Sequence, residues 1–469
     1  MLTGSDSCYC SKEDHRGQEC MAVWNRPYEW ELKRHSLYGE LLDASRLKEA
    51  AKKVKSNRGS AGLDGMTISQ FEEQEEKHLQ TLLRRLRNKE YQPQPVLRKE
   101  IEKPGTSKKR KLGIPRVLDR VVQGVVKEVL EPIWECEFSD NSFGYRPGRN
   151  AHDAVKMVEK YRVDHPYVSE VDIKEFFDNV DHDVLLDLLN ERVSDGSVLG
   201  LIRMFLEAGV MIDGKVLDTD VGTPQGGIVS PLLANIYLNH LDRKLEEMGY
   251  CFVRYADDLL ILCKTQEDAE KALVYARSIL ENDLKLRLNL EKTRICHIAD
   301  NGRDPFQRNY DWDGFIEFLG FRINQRYAIP SVKSIERFKE KIRSKTARSH
   351  PRPLAEIVLD CNRIIEGWGR YFAIGQPGPV FHELDAFVRL RLRCNLHRRK
   401  WRSFRLNKDW FRIICWYYPI WWFLKKGLAL LVSLVDESPF PCAEETRDFW
   451  GYLAKRPPIL RSLPESSKG

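Results

Sequence analysis

The chain has 469 residues, 31% charged and 42% apolar, with 20 Phe, 17 Tyr and 11 Trp, which supplies several cores and excludes wholesale disorder. A net charge of +7 is modest for that length, so its distribution carries more meaning than its sum. The 11 cysteines are single apart from Cys8, Cys10 and Cys20, and no secretory signal is evident, which excludes a disulfide framework and predicts a reducing, cytoplasmic setting.

Residues 1–20 read as a flexible extension; Cys8, Cys10, His15 and Cys20 are zinc-capable types, but their Cys-x-Cys spacing is irregular for a structural site. Arg46 to Lys55 and Phe71 to Tyr91 carry helical apolar spacing around a turn-rich stretch, Ser56 to Gly65. An extended segment from Gln94 to Ile101, a Gly/Lys loop and a helix from Val117 to Glu131 follow. Residues 98–120 hold 9 basic and 3 acidic side chains, a local +6. Val168 to Ile173 reads as a strand containing an aspartate at its end, with a helix from His182 to Glu191 after it.

Next come a Gly/Pro loop (Gly222 to Gly227), a long helix (Val229 to Met248), a hairpin (Cys251 to Cys263) and a helix (Glu267 to Asn282). Strands near Thr293 to Ile298 and Phe315 to Ile323 complete a unit whose sheet is expected to be mostly antiparallel. Beyond Ser331 the pattern turns helical and basic: residues 331–410 contain 19 Lys or Arg against 8 Asp or Glu, a local +11. Two separated basic blocks suit a polyanion-binding groove, because each neutralised phosphate releases condensed counterions. The apolar run Trp416 to Val435 is broken by Pro419, Lys425, Lys426 and Gly427, so it reads as buried helix or interdomain packing rather than a membrane span.

Chemistry enters at the hairpin. The arms Cys251 to Tyr255 and Leu259 to Cys263 bracket Ala256-Asp257-Asp258 and put two carboxylates at a tip embedded in apolar surroundings, where uncompensated charge is costly and divalent cations would relieve it. Asp172, at the end of the earlier strand, offers the further oxygen ligand that a two-ion site needs, with an N-cap as its plain structural alternative.

These motifs, in this order, resemble the group II intron reverse transcriptases, or intron-encoded maturases, over residues 50–425. Asn57 to Gly65 is similar to their N-terminal block, and Leu112 to Arg120 and Ser142 to Arg149 to their fingers. Val171 to Phe177, Gly222 to Pro231 and Tyr255-Ala256-Asp257-Asp258 are similar to their palm motifs, and the basic part after 331, especially Gly367 to Phe372 and the cluster Arg389, Arg391, Arg393, Arg398, Arg399 and Lys400, to their thumb and maturase domain. The resemblance implies an α+β right-hand polymerase: fingers, a palm with an antiparallel sheet, a helical thumb and a helical, basic maturase domain. The corresponding boundaries are 1–20 extension, 21–165 N-terminal helices and fingers, 166–330 palm, 331–400 thumb, 401–435 maturase domain (with a possible start near 355) and 436–469 tail.

It implies further that Asp172, Asp257 and Asp258 are catalytic. Together with Ile173 they would hold two Mg²⁺ ions, for which Mn²⁺ could substitute, Asp257 being the firmer ligand and Asp258 the more peripheral. Lys103, Arg110, Ile173, Phe177, Gln225 and Lys292 are expected to line the nucleotide site, Phe177 as the bulk that excludes a ribose 2′-hydroxyl. Arg116, Arg146, Arg149, Arg370, Arg391, Arg398 and Lys400 are expected on nucleic acid. The implied partners are the intron RNA, an RNA template with DNA primer or target DNA, and dNTPs, with no membrane. The implied function is splicing assistance and target-primed copying of that RNA during retrohoming. The stretch from Trp401 to Gly469 is too short for the endonuclease domain of some relatives. A domesticated enzyme in DNA repair or phage defence, and a non-catalytic splicing cofactor, are the alternatives.

Overall fold

The computed structural model describes residues 36–102, 109–212, 215–217, 222, 226–298, 314–347, 352–400 and 414–435. In chain order its elements begin with α1 (Tyr38–Leu41), α2 (Ala44–Ser56), α3 (Ile68–Glu73), α4 (Glu75–Arg87), β1 (Val96–Glu102), β2 (Lys109–Ile114), α5 (Val117–Glu135) and α6 (Ala151–Tyr161). They continue with β3 (Tyr167–Asp172), α7 (His182–Asn190), α8 (Gly196–Leu206), β4 (Val210–Ile212), β5 (Lys215–Leu217), α9 (Ser230–Glu247), β6 (Cys251–Tyr255), β7 (Asp258–Cys263) and α10 (Gln266–Ser278). The remainder is β8 (Arg294–His297), β9 (Ile316–Phe318), β10 (Phe321–Ile323), β11 (Ala328–Pro330), α11 (Val332–Lys345), α12 (Leu354–Phe372), α13 (Gly378–Lys400) and α14 (Ile420–Lys425). The α+β class expected from the sequence is the one observed.

Two compact units partition the chain. The first takes the described residues of 1–150, 169–261 and 270–294. Here Asp43 caps α2 through the Ser45 N–H, and a reciprocal Thr67–Gln70 capping box starts α3. Leu47, Ala50, Ala51 and Val54 form the buried stripe of α2, which lies on α5; Gly124 lets the two helices approach closely at Ala50. β1 and β2 pair antiparallel from Leu97↔Ile114 to Glu102↔Lys109, while Val96 and Leu97 pair parallel to β4. That β4–β5 hairpin was not expected from the sequence, because three-residue strands are too short to show an alternating pattern. Among the described residues the mostly antiparallel sheet expected over 168–323 is divided, with β9-β10-β11 forming a sheet apart from β6-β7-β3-β8, and the parallel β1–β4 pair belongs to a third.

The sheet that matters for chemistry has the order β6-β7-β3-β8. Phe252 and Val253 of β6 and Leu259, Leu260, Ile261 and Leu262 of β7 are all buried, so side chains on both faces of these strands are covered. The helix expected to reach Asn282 ends as α-helix at Ser278 and closes through a π-turn, Ile279–Asp283.

The second unit takes the described residues of 151–168, 262–269 and 295–469. Its β9-β10-β11 meander is antiparallel, and Trp368 of α12 stacks among Phe338, Phe372 and Phe381 with ring centroids 4.5–5.7 Å away. Tyr371 donates its hydroxyl to the Leu319 carbonyl (2.9 Å). The three aromatics of the Gly367 to Phe372 motif thus pack within the unit. In the 416–435 run, residues 416–417 end one stretch of α-helix and α14 forms another; Phe423, Leu428 and Leu431 are buried, while Trp416, Tyr417, Trp421 and Leu424 are exposed. No helix among the described residues is long and apolar enough to cross a membrane.

Candidate active site

Asp172 is the last residue of β3, half-buried, and the chain beyond it is anchored by the Asn289 segment. The Asn289 N–H donates to the Asp172 carbonyl (2.8 Å), Ile173 bridges Leu288, and the Lys174 N–H donates to the Arg287 carbonyl (2.9 Å). Its carboxylate accepts from Asn289 Nδ2 (2.9 Å) and, at both oxygens, from Lys292 Nζ (3.0 and 3.2 Å). Ile173 itself is buried. Glu175 turns the chain with φ +47°, and Phe177 packs its ring 5.2 Å from the buried Phe176.

The hairpin tip is a two-residue turn, Ala256-Asp257, between β6 and β7. Ala256 is buried and left-handed, φ +57°, a conformation rarely adopted outside glycine, Asn and Asp. Asp257 is half-buried and Asp258, the first residue of β7, is exposed along one edge. Around Asp258, burial on its other side and then the Asp257 and Asp172 carboxylates push its carboxyl up to about 6, against relief from Lys292. The Asp258 carboxyl thus feels the Asp257 and Asp172 carboxylates in addition to its own burial, a penalty that a divalent cation would relieve. All three are hard oxygen donors, a set suited to Mg²⁺ rather than Zn²⁺. Among the described residues no group of three or more His, Cys, Asp or Glu is arranged so that it could hold a metal ion. Lys292 sits on Asp172 as an internal counter-cation.

Glycines set the approach of the neighbouring segments. Gly222, φ +99°, lies against the Phe177 and Asp178 carbonyls, 3.0 Å from where a Cβ would stand, and its N–H donates to the Val180 carbonyl (2.8 Å). Gly226, φ +123°, lies on the Gly113 carbonyl of β2, and Ile228 donates its N–H to Gln123 Oε1 (2.8 Å). The Gly/Pro loop is thereby pinned at both ends between the Phe177 turn and β2.

Other expected contacts sit elsewhere or are engaged. Arg116 forks onto Asp119 (2.9 Å twice), which also accepts from the Tyr91 hydroxyl. Arg146 is buried on Glu135 and the Ser139 and Ser142 carbonyls, and Arg149 bonds Asp140. Arg391 donates to Thr346, whereas Arg370 is 74% exposed with Glu366 3.9 Å away. Lys103 and Gln225 lie outside the described residues, as do the side chains of Arg110, Arg398 and Lys400, and as do Cys8, Cys10, His15 and Cys20. Arg110 pairs through its backbone with Ile101. The sequence reading missed Asn289, Gly144 and the trio Arg254, Asp242 and Asn235. The one signal for the trio was a lone arginine inside an otherwise apolar strand.

A family described as "Reverse transcriptase (RNA-dependent DNA polymerase)" matches residues 101–323, and "Group II intron, maturase-specific domain" matches residues 335–416. Protein YkfC of Escherichia coli (strain K12) is 33% identical over 320 residues, which is 59% of this chain and 80% of that protein. The group II intron-encoded protein LtrA of Lactococcus lactis subsp. cremoris is 31% identical over 333 residues, 57% of this chain. The match spans only about half, 55%, of LtrA. Among solved structures, a chain of a partial Cas6-RT-Cas1–Cas2 complex is 26% identical and covers 53% of this chain and 43% of its own, at a TM-score of 0.35.

Proposed function

The chain belongs to the reverse transcriptase family and carries the maturase-specific domain of group II introns, and from that premise we propose that Asp172, Asp257 and Asp258 form the site of RNA-templated DNA synthesis. The observation that carries the reading is the pairing of β3 with the β6–β7 hairpin in one sheet, which brings Asp172 and Asp257 near enough to Asp258 to push its carboxyl, already raised by burial, up to about 6. Two Mg²⁺ ions bound by these aspartates, with the Ile173 carbonyl, would supply charge neutralisation to the attacking primer hydroxyl and the departing pyrophosphate.

The chain's own residues do the remainder. Lys103 and Arg110 bind the incoming triphosphate, and Lys292, released from Asp172, turns its ammonium to phosphate oxygens. Phe177 stands against the sugar and disfavours a 2′-hydroxyl, so dNTPs are the substrate. Gln225, on the loop pinned by Gly222 and Gly226, lines the nucleotide pocket. RNA is bound by the basic helices after residue 331, and its chemistry is that of the chain's own intron, which the protein helps to splice and then copies from a nicked DNA target in the cytoplasm. The thumb at 331–400 and the maturase domain at 401–435 are the corresponding divisions.

The test is primer extension on an RNA template by the full chain. Asp257→Asn should abolish dNTP incorporation while leaving RNA affinity within about twofold; a variant that still extends primers removes the metal assignment.

A further inference from the structure

We propose that Arg254, held by Asp242 and Asn235, is a positioning residue that sets the orientation of Asp257 and with it the strength of divalent-cation binding; the inference rests on the polymerase reading above. Arg254 is 1% exposed and follows Phe252 and Val253 in a strand that is otherwise core. A guanidinium in that place must be fully engaged. Its Nε donates to both Asp242 oxygens (2.8 and 3.0 Å) and Nη2 to Oδ2 (2.5 Å), while Nη1 divides between Asn235 Oδ1 (3.0 Å) and the Ala256 carbonyl (3.0 Å).

The last of these bonds reaches the catalytic turn. The Ala256 carbonyl belongs to the peptide that carries the Asp257 N–H, so the guanidinium holds the plane from which Asp257 departs. Ala256 is left-handed, and a carbonyl clamp keeps that unfavoured geometry in place. A second grip comes from the opposite side. Asn235 Nδ2 donates to the Gly144 carbonyl (2.8 Å), and Gly144 packs against the Ala256 N–H so closely that a Cβ would collide with it. The Arg254 main chain closes the frame, its N–H donating to the Asn141 carbonyl and its carbonyl accepting from Phe143, both at 2.9 Å. Arg254 thus joins α9 to the turn through its forked side chain and to the 141–144 segment through its main chain. Lysine has the charge but not the planar fork, so it can satisfy Asp242 and cannot also hold Asn235 and Ala256.

The experiment uses full-length Arg254→Lys and Asp257→Asn proteins, with Mn²⁺ alone as the probe, counted as free ion by electron paramagnetic resonance. Melting temperature, RNA affinity and the Mg²⁺ midpoint of primer extension are recorded alongside. Arg254→Lys is expected to bind RNA as the parent does, with Mn²⁺ binding about 10-fold weaker or more and a Mg²⁺ midpoint raised in parallel. A purely structural role would lower the melting temperature and leave both metal readouts unchanged in the folded protein; that outcome overturns the proposal. Should Arg254→Lys fail to fold, Asn235→Ala leaves the Arg254–Asp242 pair intact and is measured the same way, with parental Mn²⁺ affinity as the overturning result. Asp257→Asn separates the two readings. If it loses Mn²⁺ binding and Arg254→Lys does not, only the positioning role fails; if it keeps both Mn²⁺ binding and extension, the polymerase reading fails.

Discussion

Removing the Arg254 guanidinium without a substitute seals the Asp242 carboxylate in the core with its main counter-charge gone. Arg254→Met should therefore destabilise the fold by ~3–5 kcal/mol, read as a fall in the urea midpoint. Asp258 predicts the opposite sign. Its carboxyl is raised from 3.8 to about 6, so the folded state binds its proton more tightly than the unfolded one. The stability this group contributes is present below about pH 3.8 and is lost as pH rises through about 6. Asp258→Asn should accordingly stabilise the metal-free chain at pH 7–8 by about 1 kcal/mol, after discounting for the solvent at its exposed edge. It should change nothing below pH 3.8, and dNTP incorporation should fall. Thermal melts at the two pH values check the sign.

At the scale of elements, two glycines seven residues or fewer from Asn141 make a controlled comparison. A Cβ on Gly144 would collide with Ala256, whereas one on Gly148, φ +70°, meets nothing within 4 Å. Gly144→Ala should push the turn away and lower incorporation by about 10²-fold, since displacements of an ångström at reacting groups cost that much. Gly148→Ala carries only backbone strain, of order 1 kcal/mol, and should leave turnover unchanged. Single-turnover extension at saturating dNTP distinguishes them. The same logic explains why the Gly222 to Gly227 loop carries glycine at each pinned end: a side chain at either place would meet backbone carbonyls of the Phe177 turn or of β2.

For the whole molecule, charge that looks alike in sequence divides into two kinds. Arg116, Arg146 and Arg149 form ion pairs within the first unit, while Arg370 stays 74% exposed on α12 of the second. Arg370→Gln should weaken intron-RNA binding about equally for all sequences and reduce the slope of log affinity against log salt by about 1. Arg146→Gln should instead lower stability and leave that slope unchanged. Filter binding across a salt series reads both.

Periodicity and local punctuation made much of this protein legible. α5, α7 and α9 were readable from apolar spacing over nine or more residues, the hairpin from two apolar arms around an acid tip, and Asp172 from its place at a strand end. Family likeness then supplied the chemistry. What the linear pattern could not carry were pairings across long separations. Lys292 meets Asp172 across 120 residues, Asn235 meets Gly144 across 91, and β4 joins β1 through a parallel two-residue register. A sequence displays the sign of a charge but not its partner. Which arginines are taken up in ion pairs, and which one holds the Ala256-Asp257 turn, was decided only when folding brought distant carboxylates and carbonyls within hydrogen-bonding reach of them.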